Sequence, residues 1–502
     1  MRLIAVLIIS GLFFSEAAHS QSIGESDLLG HIEILASDAF EGREPGTIGE
    51  NKTVNYIATA WSAAGLLPAG EKGSWYTPVS LVERTSETYR IKFTYGSEGG
   101  SEGKAVRIQQ DEIILRSRSS AFRQSGMPLV FAGYAERGQG EPSVAGKLVL
   151  LPRAPLDDSG RVPDFRDRKQ RLIQDGAVGV IAVLDESDRW TRFQRSFQRA
   201  STSLVGAENH AELEGVISFD QFEKMMLKSG LDAETLLAER DNLSVIDLSF
   251  EADARAETQV RSYRSHNVIG KIPGSDPNSG AVLFLGHWDH FGICRVEDPL
   301  DPDKDGICNG AVDNASGISL LIETAKRLSG GGHDRDIYFL ATTAEEKGLL
   351  GARAFVDNAP VALEKFVVVF NADTVALADD GTMIAVVGLG KSELDSDIAV
   401  VAAQEGRKID RSDKADAYLK RQDGYVFWER DIPAYMISSA FADEERLKVF
   451  LDGPYHDVSD EVNDALVLTG AAADANFHVA LGRYFSSTGT YPGIAPSGSG
   501  DN

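Results

Sequence analysis

The chain is poor in basic residues, and this shortage excludes whole classes of partner. It has 502 residues, with 50 Lys and Arg against 76 Asp and Glu, and a formal net charge of −26. A field of that sign repels polyanions, so we expect neither nucleic acid nor an anionic membrane surface as a partner. The hydrophobic share of 42% and the charged share of 25% exclude disordered and fibrous chains, and the length favours two or three domains.

Long hydrophobic runs are also scarce, and the one at the start of the chain is short. Residues 1–22 read MRLIAVLIISGLFFSEAAHSQS, with Arg2 before an apolar run and the small residue Ser20 at its end. This pattern is typical of a cleaved signal peptide, and the run falls short of the roughly 20 residues that a membrane-spanning helix needs. No cysteine lies nearby to carry a lipid. We therefore expect residues 1–20 to be a signal peptide and the protein to be exported, periplasmic or extracellular, without a membrane anchor.

Cysteine is nearly absent. Cys294 and Cys308 are the only two, and they lie 14 residues apart around an acidic loop. In an oxidising compartment a disulfide between them is the favoured reading, because a zinc thiolate site would call for CxxC spacing. The segment Asp301–Asp305 in this loop resembles the start of a calcium-binding EF-hand, but Val312 stands where that motif needs a bidentate Glu. We favour a plain acidic loop over a Ca²⁺ site.

The pattern along the chain predicts an α/β fold with an insertion. Residues 264–486 alternate apolar strands with helical segments, which indicates a doubly wound, mainly parallel sheet. The predicted strands of this region are 281–286, 336–343, 365–373 and 433–439. A different texture of short strands and no metal-ligand spacing indicates a separate β-rich module at 111–262. The predicted organisation is a discontinuous catalytic domain (21–110 and 263–488), an inserted domain (111–262) and a flexible Gly/Ser/Pro-rich tail (489–502).

Metal-binding residue types follow the predicted strands. The strand runs lead to the side chains His287 and Asp289, Glu345 and Glu346, and Asp373, while Asp313 and His456 come from intervening segments. Because the carboxyl ends of parallel strands share one edge of a sheet, we expect these side chains to converge. Imidazoles and carboxylates are ligands that zinc accepts. Two Zn²⁺ with one bridging hydroxide would neutralise three ligand carboxylates, whereas a single ion would leave the site anionic.

Two of these residues suit supporting roles. Asp289 can accept the second ring N–H of His287 and fix its tautomer, and Glu345 can act as general base on a metal-bound water. Each signal alone has an ordinary reading: a structural histidine, a solvated Glu pair, or an Asn/Ser cap on the helix after Asn314. The combination in order is what favours a metal centre.

The motifs LGHWDHFG, DGICNGAVDNASG, TTAEEKGLLGARAF, FNADT and YHDVSDE resemble the M28 family of di-zinc exopeptidases, specifically its secreted aminopeptidase-type members. The N-terminal SDAFEGREPGTIGENKTVNYIATAWSAAGLLPAG resembles that family's entry segment. The stretches GYAERGQGEPSVAGKLVLLPRAP and IQDGAVGVIAVLD resemble the protease-associated (PA) domain inserted in many members. The resemblance covers nearly all of the chain after the signal peptide.

The resemblance implies a role for each site residue. His287 and Asp373 would bind one zinc, Glu346 and His456 the other, and Asp313 would bridge both. Glu345 would be the catalytic base and Asp289 would orient His287. N-terminal peptide bonds would then be hydrolysed by a metal-bridged hydroxide, with peptides as substrates.

One position departs from the family pattern. Members usually carry an RSDH-like motif before the last strand, where this chain has Arg421, Gln422, Asp423 and then Gly424 in place of the histidine. That histidine is not a zinc ligand in the family, so the change bears on substrate preference rather than on catalysis. The residue preference, the role of the PA domain and the oligomeric state stay open.

Three other functions compete with an aminopeptidase. A carboxypeptidase of the glutamate-carboxypeptidase type would need basic residues to grip a terminal carboxylate, for which Lys420 and Arg421 are candidates. A glutaminyl-cyclase-like enzyme would hold one zinc instead of two. A non-catalytic binding protein would lose nothing to a chelator.

Overall fold

The computed structural model describes residues 22–95, 104–106, 111–134, 142–153, 165–186, 190–207, 210–239, 245–276, 278–294 and 305–493. The predicted signal peptide, most of the segment Asp301–Asp305 and residues 494–502 lie outside these ranges. Within them, no helix has both the length and the apolar character needed to cross a bilayer. The chain divides into two compact units, one formed by the chain up to Thr77 and from His266 onward, the other by Pro78–Ser265.

The first of these boundaries lies earlier in the chain than the expected one at 110/111, whereas the second is close to the expected 262/263. The strand Tyr76–Tyr95 explains the difference. It pairs with Lys104–Val106 and with Ser201–Leu204, both in the second unit. Residues 88–95, which the sequence analysis placed in the catalytic domain, are therefore part of the second unit.

A mixed, mainly parallel sheet with helices forms the first unit. Four adjacent strands run parallel, in the spatial order Ala434–Ser438, Phe366–Asn371, Ala281–His287 and Asp336–Thr342. Ala385–Val387 joins one edge antiparallel, and residues 268–272 of the strand Ile246–Ile272 join the other, followed by Leu67–Pro68. The four strands predicted from the sequence are thus all present, each within two residues of its expected ends, and the fold class is confirmed.

Both faces of this sheet are buried, because successive side chains of each strand pack into cores on opposite faces. Phe284, Phe339 and Phe370 share one core cluster, and their rings pack at centroid distances of 5.2–5.4 Å. Leu283 and Leu340, from the intervening positions, belong to the cluster on the opposite face. Strands buried on both faces read as continuous apolar runs, which is why they were visible in the sequence. The α-helices of this unit are Glu25–Leu35, Ile48–Ala63, Gly317–Leu328, Leu350–Asp357, Asp395–Gln404, Gly424–Trp428, Glu444–Asp452 and Leu468–Ser486.

Part of the segment after the last helix packs against the folded unit. Tyr491 is only 6% exposed, and its ring packs 5.0 Å from that of Phe485. Its carbonyl accepts a hydrogen bond from the buried Arg335. The expected flexible tail from 489 therefore begins too early, because the sequence composition hid this aromatic anchor.

The second unit has its own set of strands and its own core. Its strands run in the order Ile113–Ser117, Leu213–Ile217, Gly179–Val183, Leu148–Pro152, Ala121–Phe131 and then residues 246–257. In this order, the three middle pairs of neighbouring strands are parallel. The helices of this unit are Phe165–Gln174, Trp190–Gln198, Phe219–Lys228 and Ala233–Ala238. A separate cluster that includes Leu129, Leu150, Ile181 and Phe222 forms the core.

Candidate metal centre

The carboxyl ends of three neighbouring parallel strands deliver most of the centre. His287 is the last residue of Ala281–His287, Glu345 and Glu346 follow Asp336–Thr342, and Asp373 follows Phe366–Asn371. Asp313 lies in the helical turn Ala311–Ser316 that precedes the buried helix Gly317–Leu328, and His456 follows the helix Glu444–Asp452. The structure thus places every predicted ligand at the same edge of the sheet.

The distances arrange these ligands around Asp313. His287 Nε2 lies 3.3 Å from Asp313 Oδ1 and 3.6 Å from Asp373 Oδ1. On the other side, His456 Nε2 lies 3.3 Å from Asp313 Oδ2 and 3.1 Å from Glu346 Oε2. Each oxygen of Asp313 therefore faces a different histidine, as a bridging carboxylate requires.

These separations fit zinc. Ligand atoms about 2.0–2.1 Å from a tetrahedral ion lie about 3.3 Å from one another. The four distances around Asp313 cluster near that value. His456 Nε2 makes no hydrogen bond within the described residues although two carboxylates surround it, which suits a nitrogen aimed at a shared ion. Oxygen and imidazole donors of this kind are the ligands that zinc binds.

The pKa values of the ligand side chains indicate the charge of the site before a metal ion binds. Burial opposes ionisation of Asp313, yet His287 and His456 hold its pKa well below the usual range. Burial likewise opposes protonation of His456, but the Glu346 and Asp313 carboxylates raise its pKa to about 9. The two histidines thus keep the Asp313 carboxylate ionised.

Asp289 supports the centre in a different way from the one expected. His287 Nδ1 lies 3.1 Å from the backbone carbonyl of Asp289, while the Asp289 carboxylate oxygen is 3.9 Å away, too far for a hydrogen bond. That carboxylate instead accepts the backbone N–H of Glu345 at 3.0 Å. Burial raises the pKa of Asp289 to about 7. Asp289 thus contacts His287 through its backbone and the Glu345 segment through its side chain.

Glu345 faces the same cavity as His287, Asp313 and Asp373. Burial raises its pKa well above the ordinary range, and the Asp423 and Glu346 carboxylates add to this against the opposing effect of His287. The backbone around the site is strained as well. Ala344 before Glu345, Thr374 after Asp373, and His456 itself have φ of 53°, 51° and 61°. Left-handed non-glycine residues cost about 1–3 kcal/mol each and collect at functional sites.

Three residues that support the centre were not predicted from the sequence. His290 is fully buried, and its Nδ1 lies 2.8 Å from Glu346 Oε1. The carboxylate of Asp460 accepts the backbone N–H groups of Val312 and Asp313 at 2.9 and 3.1 Å. Arg43 lies buried in a turn far away in sequence and donates to carbonyls next to the ligand segments. The second histidine of HWDH and the second aspartate of YHDVSD were the available signals for the first two.

The side chain of Gln422 occupies the space beside Gly424, the position at which the family usually has a histidine. A Cβ at this position would lie 2.6 Å from Gln422 Oε1. That oxygen accepts the N–H of Gly424 and the side-chain amide of Asn371. Gln422 therefore occupies the space in which a larger residue at 424 would begin. Next to it, Asp423 accepts a hydrogen bond from the Thr342 hydroxyl, and burial raises its pKa to about 6.

The cavity above the ligands has a mixed lining. Met436, Phe441, Leu447 and Leu451 form an apolar wall, and Arg421 and Tyr455 add polar groups. Cys294 and Cys308 are joined by a disulfide beside the strand pair Gly292–Ile293 and Ile307–Cys308.

Known proteins resemble this chain in sequence and in fold. Residues 267–479 match Peptidase family M28. Aminopeptidase YwaD of Bacillus subtilis is 35% identical over 259 residues, which cover 48% of this chain and 50% of that protein. A probable lipoprotein aminopeptidase, LpqL of Mycobacterium tuberculosis, is 27% identical over 47% of this chain and 43% of its own length. The chain thus spans about half the length, or less, of the curated relatives it matches.

Solved structures show the same fold at low identity. An aminopeptidase from Aneurinibacillus sp. strain AM-1 has a TM-score of 0.54 at 17% identity, covering 93% of this chain and 94% of that one. BSAP, a zinc aminopeptidase from Bacillus subtilis, has a TM-score of 0.50 at 17% identity over 93% and 96%. The matched region contains every ligand residue described above. Residues 267–479 thus match peptidase family M28, and the two solved structures share the fold of this chain.

Proposed function

We propose that the protein is an exported aminopeptidase that holds two zinc ions per chain. The observation that carries this proposal is the pair of donor sets that share Asp313, on the floor of a cavity that Glu345 also lines. The aminopeptidase relatives support removal of N-terminal residues. Export is supported by the apolar N-terminal sequence and by the disulfide between Cys294 and Cys308.

Each side chain has a place in this scheme. His287 and Asp373 would hold one ion, Glu346 and His456 would hold the other, and Asp313 belongs to both donor sets. When bound there, the ions would supply Lewis acidity toward the scissile carbonyl and would lower the pKa of a water molecule. Glu345 takes a proton from that water and returns it to the leaving amine. Its raised pKa suits a group that must both accept and give up a proton.

The cavity also suits the substrate class. A free N-terminal amine is attracted to the carboxylates at its floor, and the apolar wall of Met436, Phe441 and Leu447 can bury an apolar side chain. We further propose that Pro78–Ser265 is the PA-like domain expected from the sequence. Its own core supports a separately folded insertion.

The test of this proposal is Glu345→Gln assayed on aminoacyl chromogenic amides. We expect turnover to fall by about 10²–10⁴-fold with zinc content unchanged, because the amide cannot accept the proton. Glu429→Gln, which alters an exposed ion pair with Arg353, is the matched control and should behave as wild type. Near-wild-type turnover of Glu345→Gln would show that the base assignment is wrong.

A carboxypeptidase remains the second candidate, because Arg421 lines the same cavity. Its guanidinium lies 3.5 Å from the Tyr455 hydroxyl, where it can meet a terminal carboxylate. N-blocked and C-amidated peptides distinguish the two activities. An aminopeptidase cleaves only the C-amidated peptide, and a carboxypeptidase only the N-blocked one. A zinc content near two per chain and loss of activity with a chelator would argue against a cyclase-like or non-catalytic protein.

A further inference from the structure

His290 is buried beside the centre and contacts Glu346, one of the predicted ligands. Its side chain is 0% exposed, and Nδ1 lies 2.8 Å from Glu346 Oε1. His456 approaches the other oxygen of the same carboxylate, at 3.1 Å from Oε2. The two histidines therefore hold Glu346 from opposite oxygens.

The two histidines differ in how many carboxylates they approach. His456 Nε2 lies 3.3 and 3.1 Å from oxygens of Asp313 and Glu346, near the spacing of about 3.3 Å between ligands of one tetrahedral zinc ion. His290 Nδ1 makes one shorter contact, of hydrogen-bond length, with Glu346. His290, Asp313 and Glu346 also lie close enough together to form a metal-binding group, so the experiment below distinguishes a ligand from a positioning residue. The other ring nitrogen of His290, Nε2, has no hydrogen-bond partner among the described residues, so the bond to Glu346 is the polar contact that this buried ring retains.

The surrounding backbone is shaped for this ring. A Cβ at Gly310 would lie 2.7 Å from His290 Cγ and Cδ2, so the ring occupies space that glycine leaves open. The backbone N–H of His290 donates to the Arg43 carbonyl at 3.3 Å. The Arg43 guanidinium in turn binds the carbonyls of Trp288 and Gly310, at 2.9 Å each. One arginine thus fixes the chain on both sides of the ring.

We propose that His290 is a positioning residue for the second metal. It holds Glu346 Oε1 so that Oε2 points between Asp313 Oδ2 and His456 Nε2, where the ion binds. This inference rests on the two-zinc centre of the proposed function, and it assigns His290 no contact with the ion. A hydrogen bond to a ligating carboxylate commonly contributes about 10–100-fold to metal affinity.

The experiment compares variants of the full chain by metal content. Wild type, His290→Leu and His290→Asn are stripped of metal, titrated with zinc against a chromogenic chelator, and checked for folding by their melting temperature. We expect His290→Leu to bind the second zinc about 10–100-fold more weakly and the first unchanged. His290→Asn should restore most of the affinity, because its amide N–H lies near the place of Nδ1 and can donate to Oε1.

Two further variants make the result specific. His266→Leu is the matched control, since it removes a contact of the same type, Nδ1 to Glu50 Oε1 at 2.9 Å, and should bind both ions as wild type does. His290→Gln carries its amide toward the Nε2 position and should not restore affinity. If His290→Leu does not fold, the comparison of Asn with Gln tests the same geometry.

The outcomes separate this inference from the proposed function. A wild type that binds fewer than two zinc ions refutes both. A wild type with two ions whose His290→Leu variant also binds two at unchanged affinity refutes the positioning role alone. An Asn variant as weak as Leu, together with a His456→Leu variant that keeps both ions, would make His290 the ligand and also overturn it.

Discussion

Arg43 offers the sharpest test of how the metal centre is held in place. Its side chain is 1% exposed. The guanidinium donates to four backbone carbonyls, those of Leu35, Trp288, Asn309 and Gly310. Trp288 lies directly after the ligand His287, and Gly310 lies three residues before Asp313. Replacing Arg43 with Met keeps an unbranched side chain in place of the arginine stem and removes all four bonds.

The loss of stability in Arg43→Met depends on two opposing contributions, the cost of burying the charge and the gain from the four hydrogen bonds. Burial lowers the pKa of Arg43 to about 10, although the Asp460 and Asp313 carboxylates oppose this. Relative to an ordinary arginine, this shift corresponds to a cost of about 3 kcal/mol for keeping the charge buried. Each charge-assisted hydrogen bond contributes about 1.5–3 kcal/mol. Four of them outweigh the burial cost, so we expect Arg43→Met to lower the free energy of unfolding by about 3 kcal/mol or more.

The chain provides a matched control in Arg335. This residue is also 1% exposed and donates to the backbone carbonyls of Ser279, Phe485 and Tyr491. Its partners flank no ligand of the centre. Denaturant unfolding should therefore show a loss of stability for both Arg43→Met and Arg335→Met, while zinc titration should show weakened binding only for Arg43→Met.

The reasoning would be refuted by equal zinc affinity in wild type and Arg43→Met under conditions where both are folded. That result would mean that the ligand segments keep their positions without the arginine. A stable Arg43→Met with intact unfolding free energy would contradict the energetic argument instead, since it would show that the burial cost equals the gain from the four bonds.

Two further predictions concern other parts of the chain. In the second unit, desolvation raises the pKa of the partly buried Glu214, but the hydrogen bonds and charges of His210 and Lys169 outweigh this and lower it to about 2. Its carboxylate therefore stabilises the fold above about pH 4.5, and this contribution, of at most about 3 kcal/mol, is lost as the pH falls toward 2. Glu214→Gln should remove it, and the unfolding free energy should then vary less between pH 5 and 2; an unchanged pH profile would contradict the assignment. At the centre, Gly424→His should lower the melting temperature because its Cβ meets Gln422, and Gln422→Ser in the same chain should recover it. A single variant as stable as wild type would show that Gln422 moves aside freely.

Topology is the part of the site that the sequence made predictable. Strands buried on both faces are continuous apolar runs, so their ends could be located within two residues. Parallel neighbours must end at one edge, and this alone predicts that His287, Glu346 and Asp373 lie close together. Residues of metal-binding type at those ends therefore carried information that none had alone.

Contacts to backbone carried no such signal. Arg43 binds carbonyl groups more than 240 residues away, as in its 2.9 Å contact with Trp288, and a carbonyl has no residue type to recognise. Asp289 was expected to bind His287 by its carboxylate, but the strand end turns so that its carbonyl faces the ring and its carboxylate faces Glu345. The first domain boundary was misplaced for a similar reason. A strand pattern at 88–95 is the same whichever unit supplies its partners.

The charge balance around the centre favours two cations over one. Asp289, Asp313, Glu346, Asp373 and Asp423 are all buried in a small volume, as their side-chain exposures of 0–12% or burial class show. Arg43 is buried nearby, but its described hydrogen bonds all go to carbonyls, so it pairs with no carboxylate directly. Burial lets Asp289 and Asp423 take up protons near neutral pH, whereas Asp313 and Glu346 are held ionised. As metal ligands the two imidazoles are neutral, so a single divalent ion would leave the three ligand carboxylates with a net negative charge. Two ions and one hydroxide close the balance, which is why a zinc content near two is the measurement on which the proposed function depends most.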